Sequence, residues 1–291
     1  MTFLEFNKKF PTDKSVIDYF IKARYKGLLK CPHCNATTQV YRYRNRAKVF
    51  KCTFCNNTFS PFSNTIFEKS STDMRKWFYA IHLVLNAKKG ISGCQLQREI
   101  GVTYKTAWRI LQQIRIAMAN NQYKESFEVL VEIDETYVGG KPRKENTRFD
   151  EHGNIIPSNK EPSKRGRGTN KTPVIGIKER NSKRVYAKVA VPNDKGQKLS
   201  GGQLLDVIKD VCANGTTIIS DDFRAYNILD KAKTINDHNF VHLTVNHSLG
   251  QFSNGKGIHT NNIENFWSLL KRAHMGTYHK ISPKYLQRYV D

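Results

Sequence analysis

The sequence predicts a multi-domain fold: a small cysteine module, a helical module and a larger α/β domain. Three observations predict it. Two CxxC pairs stand near the N-terminus, Cys31-Pro-His-Cys34 and Cys52-Thr-Phe-Cys55. Residues 73–118 carry apolar side chains at helical spacing almost throughout. From residue 127 the texture changes to short runs rich in β-branched residues, interleaved with helical stretches.

Composition narrows the function classes. The 291 residues hold 48 Lys plus Arg against 25 Asp plus Glu, a net charge of +23. Such an excess favours a polyanionic partner, nucleic acid before an anionic membrane surface. No apolar run approaches the roughly 18 to 20 residues that cross a bilayer. The N-terminus, MTFLEFNKKF, lacks the continuous apolar core of a secretion signal. The expectation is a soluble cytoplasmic protein in a reducing compartment, where paired CxxC motifs argue for metal rather than disulfides.

Residues 1–30 read as an N-terminal helical segment. Within it DKSVIDYFIKARY, 13–25, places Val16, Ile17, Phe20 and Ala23 on one side of a helix. Residues 31–67 read as a zinc ribbon. The spacing lets Cys31, Cys34, Cys52 and Cys55 supply four thiolates to one tetrahedral Zn²⁺. The segment between them, TTQVYRYRNRAKVFK, reads as a hairpin that brings the knuckles together. Such a site is closed and structural. Its basic strand residues Arg42, Arg44, Arg46 and Lys48 face either DNA or plain solvent. Cys94 and Cys212 fall in helical apolar patterns and read as core residues.

Residues 68–122 match helix-turn-helix grammar: Ile91 to Ile100, a turn at Gly101-Val102-Thr103, then Tyr104 to Met118. The second helix would offer Tyr104, Lys105, Thr106 and Arg109 to a DNA major groove, with Ala107, Ile110, Leu111 and Ile114 packed inward. An ordinary helical hairpin would show the same pattern.

Residues 123–291 read as the α/β domain. FEVLVEI, PVIGIKE and RVYAKVAV suit a three-stranded meander. TTIIS and FVHLTV add further strands through helical connections, one of them GQLLDVIKDVC. A basic insert, 141–171, lacks periodicity and reads as a mobile loop.

Within this domain three acids stand out. Asp134 closes the first strand run, Asp221 closes TTIIS, and Glu264 lies on the last helix, about Asn261 to Ala273. Glu132 would share the face of Asp134, and Glu135 would point away. Asp222, Asp206 and Asp210 compete for the second place. Three carboxylates meeting at one point can hold two Mg²⁺ ions about 3.5 to 4 Å apart, the arrangement used for phosphoryl transfer. Lys271, two turns beyond Glu264, would touch a nearby phosphate. His238, His242, His247 and His259 gather before the last helix, as phosphate contacts, packing residues or a second zinc site.

The chain resembles the ISXO-type insertion-sequence transposases, a bacterial DDE group with an N-terminal zinc ribbon that is related to the eukaryotic Merlin elements. The stretches that carry the resemblance are CPHC…KCTFCNNTFSPFSNTIF, EIDETYVGGK, SDDFRAY and HTNNIENFWSLLKRAHMGTYHKISPKYLQRYV. It implies a ribonuclease H-like catalytic fold and DNA transposition with Mg²⁺ or Mn²⁺. Asp134, Asp221 and Glu264 would be the catalytic acids and Lys271 the accompanying basic residue, with Asn261 or Asn262 as an alternative third ligand. Handling two element ends implies a homo-oligomer, at least a dimer on DNA. Asn64 replaces a Gly common in the family, Asp222 fills another Gly position, and many relatives continue a few residues past Asp291. A binding-only derivative of a transposase, or a nuclease that cuts without joining, are the alternative readings.

Overall fold

Thr2 and Thr12 each begin a helix in the same way. Thr2 Oγ1 accepts from the Glu5 backbone while the Glu5 carboxylate accepts from the Thr2 backbone, and Thr12 and Ser15 repeat the exchange. They start α1, Phe3–Lys9, and α2, Asp13–Tyr25. The computed structural model describes residues 1–37, 40–43, 46–119, 126–140, 147–156, 169–192, 199–229, 239–245 and 257–291. It divides into two compact units, Met1–Asn120 and Asn121–Asp291.

In the first unit a three-stranded sheet follows: β1 (Val40–Arg42), β2 (Phe50–Cys52) and β3 (Thr58–Phe59), in that order. β1 and β2 pair antiparallel, Val40 against Cys52, as the hairpin reading required. Then come α3 (Met74–Asn86), α4 (Gly93–Ile100) and α5 (Tyr104–Ala119). Phe6, Val16, Ile17, Phe62, Phe67, Trp77, Leu96 and Ile110 belong to one buried cluster. The three N-terminal segments therefore share a core rather than folding separately. α1 was not expected from the sequence. Ala23 is exposed, while Phe20 packs on Phe62 with ring centroids 4.9 Å apart. Asn64, at the family's glycine position, has φ +58°, a conformation that Asn tolerates better than most residues.

The second unit is built on a five-stranded sheet. Its strands are β4 (Leu130–Val138), β7 (Thr172–Glu179), β8 (Val185–Val189), β9 (Thr217–Asp221) and β10 (Val241–Val245), in the spatial order β10-β9-β4-β7-β8. β4, β7 and β8 form the expected antiparallel meander, and β9 and β10 add in parallel. α6, Gly201–Val211, packs on one face through Leu204 and Ile208 with Ile133, Ile175 and Ile218. α7, Asn261–Ala273, covers the other face through Ile263 and Trp267 with Val138 and Val174. Alternate residues of β4 thus serve different layers.

Part of the basic insert is ordered, contrary to the mobile-loop reading. β5 (Arg148–Phe149) and β6 (Ile155–Ile156) form a hairpin whose turn is closed by Asp150 accepting from the backbones of His152 and Asn154. Residues 141–146 and 157–168 lie outside the described residues. Among the described residues no helix is long and apolar enough to cross a membrane.

Candidate functional site

Asp134 does not end its strand, as the sequence suggested. β4 runs on to Val138. What ends is the ladder to β9, which pairs Leu130 with Thr217, Val131 with Ile218 and Glu132 with Ile219, then stops. Continuing that register two residues brings Asp134 level with Asp221, the last residue of β9. Two carboxylates therefore flank the point where neighbouring strands part. On the far side of β4, Asp134 pairs with Gly176 of β7.

α7 supplies the third acid. Its residue Trp267 donates from the indole Nε1 to Asp134 Oδ2 at 3.0 Å. Glu264, one turn earlier, is exposed, and its Oε1 accepts from Thr260 at 3.2 Å. Burial pushes the Asp134 carboxyl up to about 6, the charges of Asp221 and Glu264 adding to the shift while the Glu135 backbone N–H and the Trp267 indole oppose it. Asp221 and Glu264 thus both raise the pKa of Asp134. The three acids are less tightly gathered than the cysteines: among the described residues only the four thiols form a group whose ligand atoms all lie within 4.8 Å of one another.

The competing acids differ in their surroundings. Asp210 pairs with Lys188 at 3.2 Å, and Asp206 and Asp222 are exposed. Glu135 turns to the opposite face of β4, where it accepts from the buried Tyr226 hydroxyl at 3.0 Å. Glu132 does share the face of Asp134, but its oxygens are filled by Arg180 and the start of α7. Asn262 donates its side-chain amide to Glu132, and Asn261 is exposed. Lys271 is exposed in the last turn of α7.

The cysteine module builds a second centre. Cys31 Sγ lies 3.6 Å from Cys55 Sγ, and Cys34 Sγ lies 3.6 Å from Cys52 Sγ. With Zn–S bonds near 2.3 Å, a tetrahedron has edges of roughly 3.8 Å. The two knuckles are near copies: Cys31 donates its N–H to Ala36 O and Cys52 to Asn57 O, across Asn35 and Asn56 at φ +60° and +58°. Four convergent thiols with no acid in the set fit a structural zinc ion. Of the other cysteines, Cys212 is buried as expected, with its thiol pushed up to about 12 by that burial, but Cys94 is exposed on α4 rather than in the core.

Residues 128–291 match the ISXO2-like transposase domain, and residues 11–58 match the transposase zinc-ribbon domain. The chain belongs to the ISXO2-like transposase family. An uncharacterized protein in the transposable element ISH50 of Halobacterium salinarum is 31% identical over 276 residues, covering 91% of this chain and 84% of that protein. Looser likenesses in structure include a Mos1 transposase paired-end complex, at 13% identity, TM-score 0.30 and coverage of 73% and 69% of the two chains. A Drosophila P element transposase strand transfer complex gives 12%, 0.29, and 77% and 57%. At such scores these likenesses carry no argument.

In this ISXO2-like transposase chain, α4 and α5 are joined by a tight turn. Gly101 has φ +59°, and Thr103 Oγ1 accepts from the Thr106 backbone at 3.3 Å. Ala107, Ile110, Leu111 and Ile114 are buried, whereas Tyr104, Lys105 and Arg109 are exposed and Thr106 half-buried.

The ribbon's basic residues divide differently from the expectation. Arg42 turns back to pair with Asp18 of α2 and lies over the Phe50 ring at 5.5 Å. Lys48 donates to the carbonyls of Ser70, at 3.0 Å, and Thr72. Burial lowers the pKa of Lys48. Each of the two side chains answers a protein partner more than 20 residues away in sequence. Arg46 is exposed, and Arg44 lies outside the described residues.

Two of the four clustered histidines are described. His242 Nε2 meets Ser220 Oγ at 2.9 Å, and His259 Nδ1 sits near Arg180 at 3.2 Å. His238 and His247 lie outside the described residues. Sequence reasoning gave Trp267 no partner and missed Gly176 altogether. A glycine inside the apolar run PVIGIKE was the available signal, since such a residue marks close approach of another element.

Proposed function

We propose that this chain is a DNA transposase that binds the ends of its element and catalyses metal-dependent strand cleavage and strand transfer. The observation that carries the reading is geometric: the β4–β9 register runs toward Asp134 and Asp221, and the helix that carries Glu264 is bonded to Asp134 through Trp267. The sheet order and the antiparallel meander support a ribonuclease H-like catalytic domain.

An all-oxygen set of three carboxylates suits Mg²⁺ or Mn²⁺ rather than a softer ion. A spread wider than a single coordination sphere suits a pair of ions. When bound, such ions supply Lewis-acid stabilisation of the attacking and leaving oxygens. Asp134, Asp221 and Glu264 would hold them, and Trp267 keeps one oxygen of Asp134 fixed so that the other faces the site. Lys271 stands on the same helix as Glu264 and is free to meet a DNA phosphate. In the first unit Tyr104, Lys105, Thr106 and Arg109 of α5, with Arg46 of the ribbon, form the end-binding surface. Arg42 and Lys48 support it from behind. Two ends must be held together, which calls for at least a dimer on DNA.

The test uses end-containing DNA with Mg²⁺. Wild-type chain should nick it and join the 3′-hydroxyl to target DNA. Asp134→Asn, Asp221→Asn and Glu264→Gln should each bind the ends and do neither. Cleavage by all three variants at the wild-type rate refutes the assignment. Cleavage without joining points to a nuclease, and specific binding without cleavage by wild type points to a binding-only derivative.

A further inference from the structure

Glu132 stands two residues before Asp134, on the same face of β4, with no exposed surface. A buried carboxylate is tolerated only when its lone pairs are answered. Here they are. Oε2 accepts from the backbone N–H groups of Asn262 at 2.9 Å and Ile263 at 3.1 Å. Oε1 accepts from the Asn262 side-chain amide at 2.8 Å and from Arg180 Nε at 2.9 Å, and it is ion-paired with Arg180 Nη2 at 2.8 Å. His259 Nδ1 lies 3.4 Å from the same oxygen. Arg180 is itself held by the carbonyls of Gly257 and His259, just upstream of α7.

The two backbone donors are the second and third N–H groups of the helix that carries Glu264. A helix start leaves such groups without partners and carries a partial positive charge. Usually the preceding side chain caps them. In α7 it does not: Thr260 makes no cap bond, and its hydroxyl goes to Glu264 instead. The cap comes from β4, from a residue adjacent on that face to Asp134.

We infer that Glu132 is a positioning residue, which ties the start of α7 to β4 and so sets the distance of Glu264 from Asp134 and the affinity of the acids for a divalent ion. The inference rests on the reading of those acids as ion ligands. Glu132 is not a fourth ligand, because no lone pair is left to face an ion. Only a carboxylate satisfies the site. Glutamine has one acceptor oxygen for all these donors, and its amide N–H groups would face either Arg180 or the helix start. Arg180→Lys keeps the charge but loses the planar fork that reaches Glu132 and the His259 carbonyl together.

The experiment titrates the full, zinc-loaded chain with Mn²⁺, reading free ion by its paramagnetic resonance. Wild type should bind, and Asp134→Asn should abolish that binding. Glu132→Gln and Arg180→Lys should bind roughly tenfold or more weakly, as loss of a group that orients ligands does, with zinc content and end-DNA binding retained. Excess Mn²⁺ should restore their cleavage rates. Should Glu132→Gln fail to fold, Arg180→Lys decides alone. Wild-type Mn²⁺ affinity in the folded variants overturns the inference and leaves the proposed function standing. A wild-type chain without Mn²⁺ binding sensitive to Asp134→Asn brings down both.

Discussion

Trp267 donates its indole N–H to Asp134 Oδ2 at 3.0 Å, so a residue on the Glu264 helix grips the strand acid directly. Trp267 is only 3% exposed, and its ring fills the space between α7 and the sheet. Trp267→Phe removes the donor and part of the ring. We expect a loss of about 1–3 kcal/mol in stability of the second unit. We also expect cleavage roughly 10- to 100-fold slower, because Asp134 is left free to rotate. Chemical denaturation and single-turnover kinetics at saturating Mg²⁺ read the two effects. Unchanged kinetics in the folded variant would mean that the bond is packing alone.

Gly176 explains how the indole comes so close. A Cβ there would lie 2.4 Å from Trp267 Cζ2 and 2.6 Å from Cη2, well inside contact distance. Gly176→Ala should therefore push α7 off the sheet at a cost of about 1–3 kcal/mol. The benzo ring is the nearer of its two clashes, the other being Ile263 Cδ1 at 2.9 Å. Combining Gly176→Ala with Trp267→Phe should recover stability relative to Gly176→Ala, since the shorter ring makes room. Cleavage should stay low, since the donor is gone. A double variant no more stable than Gly176→Ala would place the clash elsewhere.

These residues also show what a sequence can disclose. The cysteine knuckles were legible because their ligands are local: each CxxC is a self-contained turn, and a short hairpin joins them. Most helices and the succession of strands along the chain were legible from the period of apolar residues, whereas α1 and the pairing of β9 with β4 were not. Asp134, Asp221 and Glu264 could be nominated because each sits at a transition in that pattern. The cap by Glu132 was not legible, since its partners Arg180 and Asn262 are 48 and 130 residues away. Periodicity gives the face of a side chain but not its partner. For the same reason Arg42 and Lys48 read as a solvent-facing basic strand, when Asp18 and the Ser70 carbonyl were waiting for them.

The electrostatics of Asp134 predict a pH effect with a definite sign. Burial and its acidic neighbours raise its pKa from the ordinary 3.8 to about 6. The folded chain then holds this proton more tightly than the unfolded chain does. The contribution of Asp134 to stability is full below about pH 4 and is lost as pH rises through about 6. Asp134→Asn has no such titration and can still accept from Trp267. Without added divalent ion, the melting temperature of the variant minus that of wild type should rise between pH 4 and pH 7 and level off above. Saturating Mn²⁺ should shrink the gap by compensating the ionised acid. A difference that stays flat with pH would show that Asp134 is solvated like a surface acid.

The division of the basic residues gives the last prediction. A lysine or arginine that meets a phosphate releases a counterion, so losing it reduces the salt slope of DNA affinity by about 0.9. Arg46→Ala and Lys105→Ala, at exposed positions, should each lower the slope by roughly that amount and leave the melting temperature alone. Arg42→Ala and Lys48→Ala should do the reverse. Removing Arg42 breaks its pairing with Asp18 and its contact with Phe50, and removing Lys48 strips the donor from two carbonyls, a loss of about 1–2 kcal/mol. Their salt slopes should match wild type. If instead Lys48→Ala flattened the slope at unchanged melting temperature, its ammonium would have to leave the Ser70 carbonyl for DNA, and the inner edge of the ribbon would become part of the binding surface.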